Sequence, residues 1–156
     1  MIHVVLVRPQ IPQNTGNIAR LCAGTDAHLH LVGDLGFSLE DRYLKRAGLD
    51  YWPHVKLQLH ETLDEALAPA NPSNIACFST HASQPYDTFR PEGPVYLVFG
   101  RETSGLEAPI HERFAESMYT IPHNGKIRSL NLANSVAITV YDQLRHQGFP
   151  LQKVSS

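Results

Sequence analysis

Six short apolar runs separated by helix-patterned segments constrain this chain more than any other feature. The runs are Ile2–Val7, His28–Val32, Val55–Leu59, Asn74–Ser79, Val95–Phe99 and Met118–Ile121. Several, such as Val4-Val5-Leu6-Val7, are apolar without alternation, the pattern of strands covered on both faces. Strands alternating with helices predict an α/β fold, a mostly parallel sheet flanked by helices. Ligands of such sheets bind beyond the carboxyl ends of the strands, so the loops after each strand are where chemistry is expected.

The segments between carry helix signals. Asn14 to Thr25 reads as a helix with Asn14 as N-cap and Ile18, Leu21 and Cys22 on one face. Ser38 to Asp41 resembles a capping box for a helix ending near Gly48. Thr62 and Glu65 pair in the same way before a short helix that stops by Pro69, and Pro109 suits the first turn of another. Residues 81–94 hold three prolines and are expected to be a loop. Ala133, Val136, Ala137, Val140, Tyr141 and Leu144 form one helical stripe, with Ser129 as a candidate cap and Gly148 and Pro150 as the stop. Val136, Val140, Tyr141 and Leu144 exceed what a small domain needs if one side of that helix faces solvent. They are expected to contribute to a two-fold interface.

At 156 residues the chain is expected to form one domain, 1–156, large enough to fold without disulfides or metal. A net charge of −2 excludes a bulk cationic coat for nucleic acid. The charge is uneven: residues 61–120 hold three Lys/Arg against nine Asp/Glu, and residues 121–156 hold four against one. Folding the two ends together would make a modest basic face, although ordinary surface scatter gives the same counts. Cys22 and Cys77 lie in apolar runs and read as buried thiols. No run approaches the roughly 20 apolar residues of a membrane span. The first residues read as a strand rather than a leader, so a cytoplasmic location is expected. His28 and His30 share one face of a strand, but no third ligand is spaced to complete a site, so no metal is expected.

Three polar constellations interrupt the apolar pattern. Asn14, Asn17 and Arg20 recur at three-residue steps on one side of the first helix, suited to phosphate or ribose. A capped helix with a solvated face would look the same. Gly100-Arg101-Glu102-Thr103-Ser104-Gly105 follows a buried strand. Gly100 there permits close backbone approach of a ligand, and Glu102 suits a ligand contact or a brace for a neighbouring loop. A tight turn with a solvated Glu is the plain alternative. Ile121 to Ser135 runs from a strand through a basic, polar stretch into the final helix, with Asn131 and Asn134 one turn apart.

In this order and spacing the three segments resemble the motifs of the SPOUT class of RNA methyltransferases. Asn14…Gly16-Asn17…Arg20 is similar to its first motif, Phe99-Gly100-Arg101-Glu102…Gly105 to its second, and Ile121-Pro122…Arg128-Ser129-Leu130-Asn131-Leu132…Asn134-Ser135 to its third. Pro9 to Asn17, Leu35-Gly36-Phe37 and Arg46 to Tyr51 resemble the minimal subfamily that 2′-O-methylates the wobble nucleotide of tRNA. The resemblance spans nearly the whole chain. It departs at Arg101, where Pro is common, at Ile127, where a small polar residue is usual, and at Asp26-Ala27, which replaces Thr-Gly.

The resemblance implies a C-terminal deep trefoil knot, which ordinary connection rules disfavour. It also implies S-adenosylmethionine as cofactor, tRNA as substrate and a homodimer through the final helix. Carried over by position, the cofactor contacts are Phe78, Gly100, Glu102, Ile121, Ser129 and Leu130. The catalytic set is Arg20, Ser129 and Asn131, and the RNA contacts are Asn14, Asn17 and Arg128. Guanidinium stays protonated in proteins, so Arg20 is suited to stabilise a developing alkoxide, or to act as a base only if phosphate contact perturbs it. Two other readings use the same fold: methylation of ribosomal RNA, and non-catalytic binding of RNA or nucleotide. Keeping Arg20, Glu102, Ser129 and Asn131 together favours an active enzyme, and the lack of a further RNA-binding domain favours a compact tRNA stem-loop.

Overall fold

A computed structural model describes residues 1–40 and 51–154. The helix expected from Ser38 to Gly48 and the Arg46–Tyr51 segment lie largely outside the described residues; Ser38 Oγ accepts the Glu40 amide at 3.1 Å. Seven strands, β1 (Ile2–Val7), β2 (His28–Val32), β3 (Lys56–His60), β4 (Ile75–Phe78), β5 (Gln84–Pro85), β6 (Val95–Phe99) and β7 (Met118–Thr120), make one sheet in the order β3-β2-β1-β6-β4-β7-β5. Every pairing is parallel. The α-helices are α1 (Pro12–Thr25), α2 (Leu63–Leu67), α3 (Ala108–Arg113) and α4 (Leu132–His146). The chain steps outward from β1 through β2 to β3, then crosses to the other side of β1. The order therefore switches between β1 and β6, where α/β sheets open a crevice at their carboxyl ends.

Strand alternation divides the core into two layers. Val4, Leu6, Leu29, Leu31 and Leu97 pack under α1 and α4 with Ile18, Val136, Val140 and Leu144. Val5, Val7, Val32, Cys77 and Val98 face the opposite layer with Ala66, Leu67 and Leu106. Burying each large aliphatic side chain contributes about 1.5–3 kcal/mol. Val136, Val140 and Leu144 are thus interior residues of one chain, which corrects the expectation that they form a two-fold interface. Ile138 and Tyr141, 37% and 47% exposed, are the apolar residues α4 leaves open.

Both expected caps of the long helices lie elsewhere. α1 begins at Pro12, with Ile11 rather than Asn14 at the N-cap. Proline tolerates the first helical position because its missing N–H needs no partner, so the helix starts early and Asn14 falls inside its first turn. α4 is capped by Asn131, whose side-chain oxygen accepts the Asn134 amide at 3.1 Å, and not by Ser129, three residues before the helix. Thr62 does cap α2, accepting the Glu65 amide, while Glu65 reaches back to the Glu61 amide. β3 begins at Lys56, one residue later than expected, and is an edge strand with Leu59 57% exposed. The proline-rich stretch 81–94 holds β5 and a 3₁₀ turn, Tyr86–Thr88. Pro85 is tolerated there because β5 is the sheet's other edge.

A ladder of imidazoles crosses the sheet. His3 Nδ1 lies 2.9 Å from His30 Nε2, and His30 Nδ1 lies 2.9 Å from His60 Nε2. His3 is also stacked between Tyr96 at 4.2 Å and His28 at 4.8 Å. The third and fourth histidines come from other strands, which local spacing around His28 and His30 does not reveal. Among the described residues no group of three or more His, Cys, Asp or Glu is arranged to hold a metal. Burial, reinforced by His28 and the terminal amine, pushes His3 down to about 4, and burial, reinforced by His3, His60 and His28, does the same for His30. Each N–N contact holds one proton, so adjacent rings resist being charged together.

Well above pH 6.5 His3 and His30 are neutral in folded and unfolded chains alike, and they leave stability unaffected by pH. Between about pH 6.5 and pH 4 the unfolded chain takes up protons the native chain refuses. Stability is therefore lost as pH falls, by about 1.4 kcal/mol per pH unit for each proton deficit. Denaturant titrations at pH 7, 6 and 5 should show this decline, and His30→Asn should flatten it. A constant unfolding free energy across that window would contradict the assignment.

Candidate functional site

The loop after β6 closes on itself. Arg101 and Gly105 exchange backbone hydrogen bonds of 3.1 and 2.8 Å, with Gly105 at a φ of 67°. A Cβ on Gly100 would lie 2.1 Å from the Gly105 carbonyl carbon and 2.3 Å from the Leu106 nitrogen. Gly100 is therefore required by the loop's own backbone, and it also lines the cleft.

Glu102 joins this loop to the one after β1. Its carboxylate accepts the Gln10 amide at 3.0 and 3.1 Å and the Ile11 amide at 2.5 Å. These amides lie at the start of α1, where a negative charge also meets the positive end of the helix dipole. Thr103 Oγ1 donates to Gln10 Oε1 at 2.7 Å, and Arg8 pairs with Glu107 at 2.7 Å. The brace expected of Glu102 is present.

The third segment, residues 122–129, is exposed throughout and is shaped by local turns. His123 Nδ1 accepts the Gly125 amide and Asn124 Oδ1 accepts the Lys126 amide. It ends at Asn131, which is fixed twice: its oxygen caps α4, and its Nδ2 donates to Asn14 Oδ1 at 3.1 Å. The two asparagines couple the first motif to the third.

The loops after β4, β6 and β7 enclose a cleft of about 330 Å³, within the usual range for a small-molecule site. Phe78, Gly100, Glu102, Ile121, Arg128, Ser129 and Leu130 all line it. Phe78 is stacked on Phe99 at 4.8 Å and 9°, giving one wall a flat apolar face. Ser79, Thr80, His81 and His111 also line it. They belong to no motif; Ser79, Thr80 and His81 follow the end of β4, whereas His111 comes from α3.

Asn14, Asn17, Arg20 and Asn131 are not among the residues lining the cleft. Asn14 is 8% exposed and holds Asn131. Asn17 and Arg20 are exposed on α1. The Arg20 guanidinium sits 5.9 Å from the centroid of the Tyr51 ring, whose hydroxyl donates to the Gly16 carbonyl at 2.9 Å. The stripe read from sequence thus runs from a buried anchor to an open cation. Cys22 and Cys77 are buried, which pushes both thiols up to about 12 and leaves them poor nucleophiles.

These three coupled loops at the switch point of a parallel sheet are matched by the model of the SpoU rRNA Methylase family over residues 1–141. The chain belongs to that family. A Burkholderia cenocepacia (strain HI2424) protein named tRNA (cytidine(34)-2′-O)-methyltransferase is 43% identical over 152 residues, covering 96% of this chain and 97% of the relative. A solved structure on the 2-OH methylation of C/U34 on tRNA matches with a TM-score of 0.85 and 42% identity, covering 95% of this chain and 97% of that one. An AdoMet-bound rRNA methyltransferase from Sinorhizobium meliloti matches with a TM-score of 0.78 and 27% identity, covering 93% of this chain and 56% of that one.

The SpoU-type cleft should depend on its braces. Glu102→Ala leaves the Gln10 and Ile11 amides without their acceptor and should cost about 1–3 kcal/mol, or about 2–4 °C of melting temperature per kcal/mol. Gly100→Ala forces the loop open and should cost about 2–3 kcal/mol through overpacking. Thermal and denaturant unfolding of both variants checks this; wild-type stability of Gly100→Ala would show that the loop relaxes freely.

Proposed function

We propose that this protein transfers the methyl group of S-adenosylmethionine to the ribose 2′-hydroxyl of the wobble nucleotide, cytidine or modified uridine, in the anticodon loop of tRNA. The observation that carries the reading is the cleft. Its walls are the second and third methyltransferase motifs, in a chain that aligns nearly end to end with relatives named for this reaction.

The residues present fit the cofactor. Phe78, Ile121 and Leu130 offer apolar surface, and the Gly100 and Ser129 loops offer backbone polar groups. When bound, S-adenosylmethionine supplies a methyl group made electrophilic by its sulfonium. The protein's part is alignment and charge. Holding the reacting groups in line can supply about 7–11 kcal/mol of the barrier. Asn131 and Ser129 position the ribose and the cofactor loop. Arg20 stabilises the alkoxide that develops as the 2′-hydroxyl loses its proton. Arg128 and Asn17 contact phosphate or ribose, and Asn14 acts through Asn131.

Arg20 stands outside the cleft of its own chain, on the helix packed beside α4. For Arg20 to reach a cleft in this reading a second chain must supply one, and the open Ile138 and Tyr141 face of α4 is the apolar surface available for pairing. A homodimer is therefore part of this reading. So are a single domain over residues 1–156, a trefoil knot in the C-terminal part of the chain, and action in the cytoplasm, where tRNA is found. Among the described residues no helix is long and apolar enough to cross a membrane.

Incubation with tRNA and S-adenosylmethionine should yield the 2′-O-methylated nucleoside at position 34, detected by nucleoside mass spectrometry; ribosomal RNA methylated in its place would overturn the substrate. Arg20→Ala should lower the transfer rate about 10²–10³-fold and leave cofactor affinity unchanged in calorimetry. A matching loss of affinity would make Arg20 a cofactor residue. Tyr141→Asp places a charge in an apolar contact and should shift the sedimentation of micromolar protein from dimer to monomer; a wild-type monomer would remove the dimer from the mechanism.

A further inference from the structure

Among the described residues Arg101 is a cation of the cleft with no ion-pair partner. It follows Gly100 directly, lines the cleft and is only partly exposed. Its Nε is shut away from solvent with no hydrogen-bond partner, and no side-chain partner for its guanidinium exists among the described residues. The nearby carboxylates are committed elsewhere. Glu102 holds the Gln10 and Ile11 amides, and Glu107 holds Arg8. Arg128 and three histidines, His81, His111 and His123, share the cleft with Arg101, while Glu102 is its one carboxylate. A buried donor left unpaired costs about 1–3 kcal/mol, more on a charged group, so this position is unfavourable unless a ligand supplies an acceptor.

We propose that Arg101 is the receptor for the α-carboxylate of the methyl donor, fixing the amino-acid end of S-adenosylmethionine through a forked, charge-assisted contact. Guanidinium matches a carboxylate with two parallel N–H donors, a geometry an ammonium cannot reproduce. A carboxylate within the cleft suits Arg101 better than an RNA phosphate does, because Arg101 stands on the inner, self-closed loop. Arg128 lies on the exposed 122–129 segment and is the cation better placed for phosphate. The inference rests on the methyltransferase reading and deepens it, since it names the part of the cofactor that sets binding specificity.

The test pairs a ligand change with a residue change. Calorimetry of wild type, Arg101→Gln and Arg101→Lys is run with S-adenosylmethionine and with its decarboxylated form, which keeps the sulfonium and the amine. Wild type should prefer the intact cofactor by about ten- to hundredfold, the size of a charge-assisted hydrogen bond. Arg101→Gln should abolish that preference, weakening the intact cofactor and leaving the decarboxylated form within about twofold. Arg101→Lys should restore part of it. Equal weakening of both ligands would make Arg101 a structural residue and overturn the proposal. Unchanged cofactor affinity with weaker tRNA binding, and a salt dependence lower by about one phosphate contact, would make it an RNA residue and overturn it as well. A wild type that binds neither ligand defeats the methyltransferase reading itself, whereas a wild type that binds both equally defeats only the role of Arg101.

Discussion

One carboxylate holds the site together. Glu102 projects from the loop after β6 and takes two backbone amides at the entrance to α1, so the strands on either side of the switch point cannot splay at their carboxyl ends. The amides it satisfies precede Pro12, at a helix start that has no side-chain cap of its own. Without Glu102 that end of α1 would depend on water. The same contact sets the height of the Gly100–Gly105 loop, and thereby one wall of the cleft. A residue expected to touch cofactor thus performs a prior task, making the wall rigid enough to be a site.

The asparagine pair does for the third motif what Glu102 does for the second. Asn131 divides its amide between capping α4 and holding Asn14, so the start of the last helix and the first turn of α1 are positioned by one side chain. This explains Asn14 inside the first turn of α1, where the residue is otherwise poor for helix formation, while Asn131 holds an N-cap, a position it favours. It also explains why Asn14 is buried although its stripe partners Asn17 and Arg20 are open. Three motifs far apart in sequence are joined by the contacts of Glu102 to the Gln10 and Ile11 amides, the Thr103–Gln10 bond and the Asn131–Asn14 bond.

The legible parts of the fold were those set by continuous burial. β1, β2 and β6 stand where their apolar runs place them, because an unbroken Val/Leu/Ile run has few alternatives in a covered parallel sheet. The edges were less legible. β3 is half-exposed and shifted, and β5 is two residues long and includes a proline, so its pairing comes from β7 rather than from its own sequence. The caps failed for a local reason. Asn14 and Ser129 are good cap residues, but Pro12 and Asn131 compete for the same helix starts and win by position. Within the site, motif spacing brought Phe78, Gly100, Glu102, Ile121, Arg128, Ser129 and Leu130 to one cleft. It did not show that the loop's own closure requires glycine at 100, since self-closure of a loop leaves no mark distinct from ligand approach. The histidine ladder was invisible for a related reason: its rungs are set by the register of three strands, and only two of its members are near in sequence.

That ladder also shows how the sheet separates stability from chemistry. The imidazoles span β1, β2 and β3, whereas the cleft is built on β4, β6 and β7. β1 links the two regions, with His3 near its amino end and the Glu102-braced loop beyond its carboxyl end. Loss of native stability below pH 6.5 therefore has its source in histidines of β1 and β2, away from the loops that line the cleft. An acid-induced fall in activity should then follow the loss of folded protein.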